Sequence, residues 1–148
     1  MAFKRRGLVY VLITLVMLPL FLLFAAMAIE TMAYALSSRV AFNYAMIGST
    51  AVTESVELKG GGYILNLAQA CEAARRTICA QAPRMCNRQP ASQNPPVQCF
   101  RIGNEVVIQV SVPRYQFFGA WLSGYNREAI GYNIMTLDSG IEIADGSE

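Results

Sequence analysis

Residues 8–62 read "LVYVLITLVMLPLFLLFAAMAIETMAYALSSRVAFNYAMIGSTAVTESVELKGGG", and the helical character of this stretch outlasts its uncharged part. Leu8 to Ile29 is 22 residues without a charge. As a helix it spans about 33 Å, matching a bilayer hydrocarbon core of about 30 Å. Beyond it, Ile29, Met32, Leu36, Val40, Tyr44, Ile47, Ala51 and Leu58 recur at three, four or seven residues, so one face stays apolar. The expectation is one helix from Leu8 to Leu58, about 75 Å long. Gly60-Gly61-Gly62 closes it, because glycine is a poor helix residue and a favoured cap past a C-terminus. A rod of that length outruns the core a small domain can offer, so part of its apolar face needs a partner. Pro19, in the middle of the run, removes one backbone hydrogen bond and predicts a kink of the kind membrane helices tolerate.

Lys4, Arg5 and Arg6 precede the run, and positive residues beside a span stay in the cytoplasm, which places everything after Glu30 outside it. The chain then divides into a basic tail (1–7), a transmembrane helix (8–29), a helical stalk (30–59) and a head (60–148). A cleaved signal peptide is the competing reading. It has a basic start, an apolar core and Ala26-Met27-Ala28 as a small-x-small site, and a cut after Ala28 would release a secreted, disulfide-stabilised binding module. The length of the apolar run and the continuing helix favour a retained anchor. Glu30 stands at the exit of the span. It is either an interfacial acid or, inside an assembly, a partner for an amino-terminal charge or arginine of a neighbour.

The whole chain has 148 residues, 54% hydrophobic and 15% charged, which suits one small globular domain with a membrane segment attached. Its formal charge of +2 is carried by the amino-terminal cluster; the remainder holds nine basic and ten acidic side chains, a net of −1. That balance excludes nucleic acid as the expected partner. There is no histidine, and none of the gaps between Cys71, Cys79, Cys86 and Cys99 makes a C-x-x-C pair, so neither a metal nor a cofactor is expected. Four cysteines behind a membrane-directing segment predict two disulfides in an oxidising compartment. A helix through residues 64–81 would hold Cys71 and Cys79 about 12 Å apart, beyond the roughly 7 Å a disulfide allows between Cα atoms. Two pairings remain open: Cys71 with Cys99 and Cys79 with Cys86, or Cys71 with Cys86 and Cys79 with Cys99.

The fold class is α+β. A second helix is predicted from Ile64 to Gln81, its inner face formed by Ile64, Leu65, Leu67, Ala68, Cys71, Ala74 and Ile78 and its end set by Pro83. Residues 84–98, with three prolines, read as a surface loop stapled by the disulfides. Cys99–Ile102 and Glu105–Val112 flank Gly103-Asn104 as an antiparallel hairpin, with Val106, Ile108, Val110 and Val112 turned inward. Tyr115, Phe117, Phe118 and Trp121 fall within seven residues and read either as a flap over the core or as a partner or membrane-interface surface. Arg127–Leu137 is a last strand, and residues 138–148 a polar tail.

No catalytic constellation stands out. Without histidine there is no Ser-His or Cys-His nucleophile, and Lys59, the only lysine beyond the anchor, is expected at a helix end, where a cation suits the dipole. Glu105, Glu128, Asp138 and Glu142 have no spacing that makes them a carboxylate pair. The chain is not expected to be an enzyme.

Several of these features occur together in a known family. Arg5, Arg6 and Gly7 lead an apolar run with Pro19 near its middle, Glu30 and Tyr34 at its exit, and then "RVAFNYAMIGSTAV" (39–52). With "EVVIQVSVPRY" (105–115) and "REAIGYNIMTLDSG" (127–140), this pattern resembles the TadE/TadG-like proteins of tight-adherence pilus systems. The resemblance covers residues 5–56 and 105–140. It implies a single-pass protein of a bacterial inner membrane with a pilin-like layout. Such a protein would act as a minor pilin or assembly factor, with other pilin-like subunits or the pilus machinery as partners. One position departs from the pattern. Leu12 stands fifth after Gly7, where members carry a Glu, so processing after Gly7 is not carried over to this chain.

Overall fold

The computed structural model describes residues 2–87, 95–113 and 128–144, with side chains from Tyr10 onward. The protein is α+β, with a long N-terminal apolar helix, a second helix, an antiparallel sheet and two disulfides. Helix α1 (Ala2–Glu54) is 53 residues long, about 80 Å at 1.5 Å per residue, and carries Pro19 inside it. It ends four residues before the expected Leu58. Ser55 N–H and Val56 N–H close back on the carbonyls of Val52 and Thr53, tightening the last turn.

The chain then turns into a hairpin, β1 (Glu57–Lys59) and β2 (Gly62–Asn66), paired through Leu58↔Tyr63. Gly60 and Gly61, at φ 65° and 87°, form its two-residue turn. Such a turn needs positive φ at both positions, which is where two glycines outcompete other residues. The glycines therefore reverse a hairpin rather than cap the helix. Leu58 and Lys59 lie on a strand, and Ile64 and Leu65 belong to β2 instead of the second helix.

Helix α2 (Leu67–Gln81) begins at Asn66, whose Oδ1 accepts from the N–H groups of Ala68 and Gln69 at 3.1 and 3.2 Å. This cap sets the strand-to-helix switch. Asn66→Ala is expected to lower stability by about 1 kcal/mol, read as a shift of the thermal unfolding midpoint. The buried line of α2 is Ala70, Ala74 and Ile78, whereas Ala68, expected inside, is exposed. Pro83 opens a short turn of helix, α3 (Pro83–Cys86), which buries Met85.

A three-stranded antiparallel sheet follows: β3 (Val97–Ile102), β4 (Glu105–Pro113) and β5 (Glu128–Thr136), in that order. Gly103 supplies positive φ at the β3–β4 turn, and Asn104 in that turn donates from Nδ2 to the Leu137 carbonyl at 2.6 Å. The expected polar tail contains β6 (Ile141–Ala144), which pairs in parallel with β2, and Ile143 joins the core. Arg101 Nη1 donates to the Ile143 carbonyl at 3.3 Å, bridging the two sheets.

The core lies between α1, α2 and β4, and includes Val52, Leu65, Ile78, Val106, Ile108 and Val110. The inner face of α1 is Ala41, Ala45, Gly48 and Val52, all buried. Of the expected apolar line, Ala51 is buried and Tyr44 packs against the core, while Ile29, Met32, Leu36 and Val40 precede the part of α1 that the head covers and are exposed. Close approach explains why small residues lead the covered face. Gly131 of β5 lies directly beneath the α1 backbone at Ala41 and Phe42, and Asn133 Nδ2 donates to Ser49 Oγ at 2.8 Å. Helix and strand can approach this closely only where small residues meet, so the small face of α1 turns inward. The two contacts also show that β5 runs in the same direction as α1.

Candidate assembly and membrane surface

Above the head, α1 has no covering. From Tyr10 to Phe42 the large apolar side chains are each at least 41% exposed. The helix is long and apolar enough to cross a membrane, and none of its apolar window is buried against the rest of the protein. Hydroxyls along it bond to the helix's own carbonyls. Thr14 Oγ1 donates to the Tyr10 carbonyl at 2.6 Å, Thr31 Oγ1 to Ala28 at 2.9 Å, and Ser37 Oγ to Ala33 at 2.9 Å. A helix that pairs its own backbone and hydroxyls is the form in which a chain tolerates an apolar solvent.

Arg5, Arg6 and Gly7 lie in the first turns of α1, Pro19 is exposed within it, and Glu30 is half-buried at the exit of the apolar run. Tyr115, Phe117, Phe118 and Trp121 fall outside the described residues. The apolar surface that sequence periodicity missed is on the sheet. Ile130, Tyr132 and Ile134 of β5 alternate with Ala129, Gly131 and Asn133, and they face away from α1. Phe100 and Ile102 of β3 join them through the ladder Phe100↔Val107↔Ile134. The alternation in "AIGYNIM" carried the signal for this face, since apolar residues occupy both parities of the strand.

All four cysteines are paired, Cys71 with Cys99 and Cys79 with Cys86, with Cα separations of 5.7 and 5.6 Å. Cys99 sits opposite Ile108, on the inner face of the sheet, and so meets α2. Cys79 and Cys86 come together because the chain turns at Ala82-Pro83. These bonds fasten α2 to β3 and close the end of α2.

Of the carboxylates, Glu105 and Glu128 stand at opposite ends of the β4–β5 ladder, about 26 Å apart along the strand. Glu128 accepts from Ser111 Oγ at 2.7 Å, Asp138 and Glu142 are exposed, and Lys59 lies beside the β1–β2 turn. Among the described residues no three His, Cys, Asp or Glu side chains cluster as a metal would need. Among the described residues the perturbed acid is Glu72, on the surface of α2. The Arg75 guanidinium bonds both its oxygens at 2.8 and 3.1 Å, and Arg76 Nε adds a third bond at 3.1 Å. Together, Arg75 first, they hold its pKa down to about 2.

A depressed carboxylate stabilises the fold above its unfolded pKa of about 4.3, and that contribution disappears as the pH falls towards 2. The pair is solvated, so its weight is small and screened by salt. Glu72→Gln is therefore expected to leave stability at pH 7 almost unchanged. It should flatten the acid limb of the stability profile below pH ~4, as measured by thermal unfolding at stepped pH.

Comparison with known families, characterised proteins and solved structures finds no match.

Proposed function

We propose that this chain is a membrane-anchored, pilin-like structural subunit or assembly factor of a tight-adherence or type IV-like pilus. It sits in a bacterial inner membrane with residues 1–7 in the cytoplasm and its head outside. One observation carries this reading: a single 53-residue helix leaves its N-terminal half apolar and uncovered while its C-terminal half is built into a disulfide-stapled head. A purely secreted domain has no use for the first half. A simple anchor has no need for it to continue rigidly into the core. In this role the protein acts by helix packing, and no side chain is asked to perform catalysis.

The test is amino-terminal sequencing of the mature protein from membranes, combined with extraction in mild detergent. Met1, Ala2 or Leu8 as the first residue leaves the rod in place and supports the proposal, provided the chain extracts with other copies or other subunits. Ile29 as the first residue overturns it in favour of a secreted binding module released after Ala28. A lone detergent-solubilised monomer under mild extraction also counts against it.

A further inference from the structure

The head covers one face of α1 and leaves another exposed at the same height. Arg39, Phe42, Met46 and Thr50 recur at three and four residues, opposite the buried Ala41, Ala45 and Gly48, and all four are exposed. Phe42 is 47% and Met46 49% exposed. The sheet has a matching surface on its far side, where Tyr132 is 60% exposed between Ile130 and Ile134. Glu128 shares this outer parity with them, at the end of β5 nearest the anchor.

The two surfaces also correspond in height. Gly131 lies level with Ala41 and Phe42, and Glu128 is three strand residues, about 10 Å, nearer the membrane. Arg39 starts two residues before Ala41 and its side chain leans towards the helix N-terminus. In two copies anchored in one membrane, Arg39 of one therefore stands opposite Glu128 of the other, with Phe42 and Met46 opposite Ile130 and Tyr132.

We infer that a second copy of this chain docks here, the outward stripe of its α1 (Arg39, Phe42, Met46) seating on the outer face of β3–β4–β5, with Arg39 paired to Glu128. The sheet then carries a helix on each face, its own inside and its neighbour's outside. The contact joins two different surfaces, so it is heterologous and propagates from copy to copy rather than closing a dimer. The apolar part of the sheet face exposes on the order of 500 Å², enough to mark an interface but below the roughly 800 Å² per partner of a stable one. The contact therefore operates between tethered copies, where a shared membrane raises the effective concentration and sets the register. The inference rests on the anchoring proposed above.

The experiment is thiol cross-linking of full-length protein in membranes, with a short bifunctional reagent and single cysteines introduced as Phe42→Cys and Tyr132→Cys in co-expressed chains. The expected result is a mixed Phe42→Cys/Tyr132→Cys dimer and no dimer from either variant alone. Arg39→Glu should abolish the mixed product, and adding Glu128→Arg should restore it. Leu22→Cys, within the proposed span, reports on helix assembly by itself. Leu22→Cys dimers without the mixed product overturn this contact and leave the assembly reading standing. Loss of both overturns the two together. A dominant Tyr132→Cys homodimer also overturns the contact, since it would show an isologous pairing of sheets.

Discussion

Gly131→Val is expected to separate the head from α1 and to lower the thermal midpoint of the full-length protein in mild detergent by about 15 °C, corresponding to about 3 kcal/mol. A Cβ at this position runs into the main chain of Ala41 and Phe42 and lies 2.8 Å from Ala41 Cβ. Backbone on both sides has no rotamer to change, so the helix must lift, and the contacts of Ala41 and Ala45 with the sheet go with it. Gly131 is not at positive φ, so the cost comes from the contact and not from backbone strain. Gly48 is the control. A Cβ there meets Ile78 Cδ1, the far end of a side chain that can shift, at 2.9 Å, and Ile108 Cγ2 at 3.3 Å, where a few tenths of an ångström of give is needed. Alanine also gains about 1 kcal/mol of helix propensity over glycine. Gly48→Ala is therefore expected to change the midpoint by only a few degrees. Equal losses from the two substitutions would show that the close approach at Gly131 is not what limits the packing of α1.

Replacing Cys71 and Cys99 together by serine is expected to cost about 3.5 kcal/mol, against about 2.5 kcal/mol for Cys79 and Cys86, by the chain-entropy relation for loops of these lengths. The first pair spans 28 residues and ties α2 to β3; the second spans 7 and closes a turn that Pro83 already shapes. Thermal unfolding of the two double variants should give that order. Thiol labelling of the denatured, unreduced protein should find none of the four cysteines free. The reverse order of stability would mean that the end of α2, and not its junction with β3, is the weaker part of the head.

Much of the architecture was legible from residue patterns. The uncharged run from Leu8 to Ile29 announces a spanning helix because length and hydropathy are properties of the chain alone. The β3–β4 hairpin follows from alternation around Gly103-Asn104. Other elements depend on contacts that residue patterns do not contain. Leu58 fits a seven-residue interval from Ala51, yet "VELKGGGYIL" also carries the two-residue glycine turn of a hairpin, and pairing with Tyr63 and Ile64 decided between them. Ile64 and Leu65 fit the helical pattern of α2, but the Asn66 cap starts the helix after them. Ile141–Ala144 is too short to stand as a strand unless β2 lies beside it. For the candidate surface, the exposed apolar length of α1 was foreseen as a surplus, whereas the outer face of β5 was not, because alternation alone does not say whether both faces are covered.

The sequence by itself determined that a long apolar helix leads into a small α+β head and that its four cysteines pair. Only the tertiary structure decided which cysteines meet and which face of α1 the head covers. Hydrophobic periodicity ranks faces by their affinity for an apolar environment, and by that measure Met32, Leu36 and Val40 form a stripe that needs a partner beyond the head. Packing ranks them by how closely two backbones can approach, and there Ala41, Ala45 and Gly48 over Gly131 prevail. The larger apolar residues of the stalk are left facing outward.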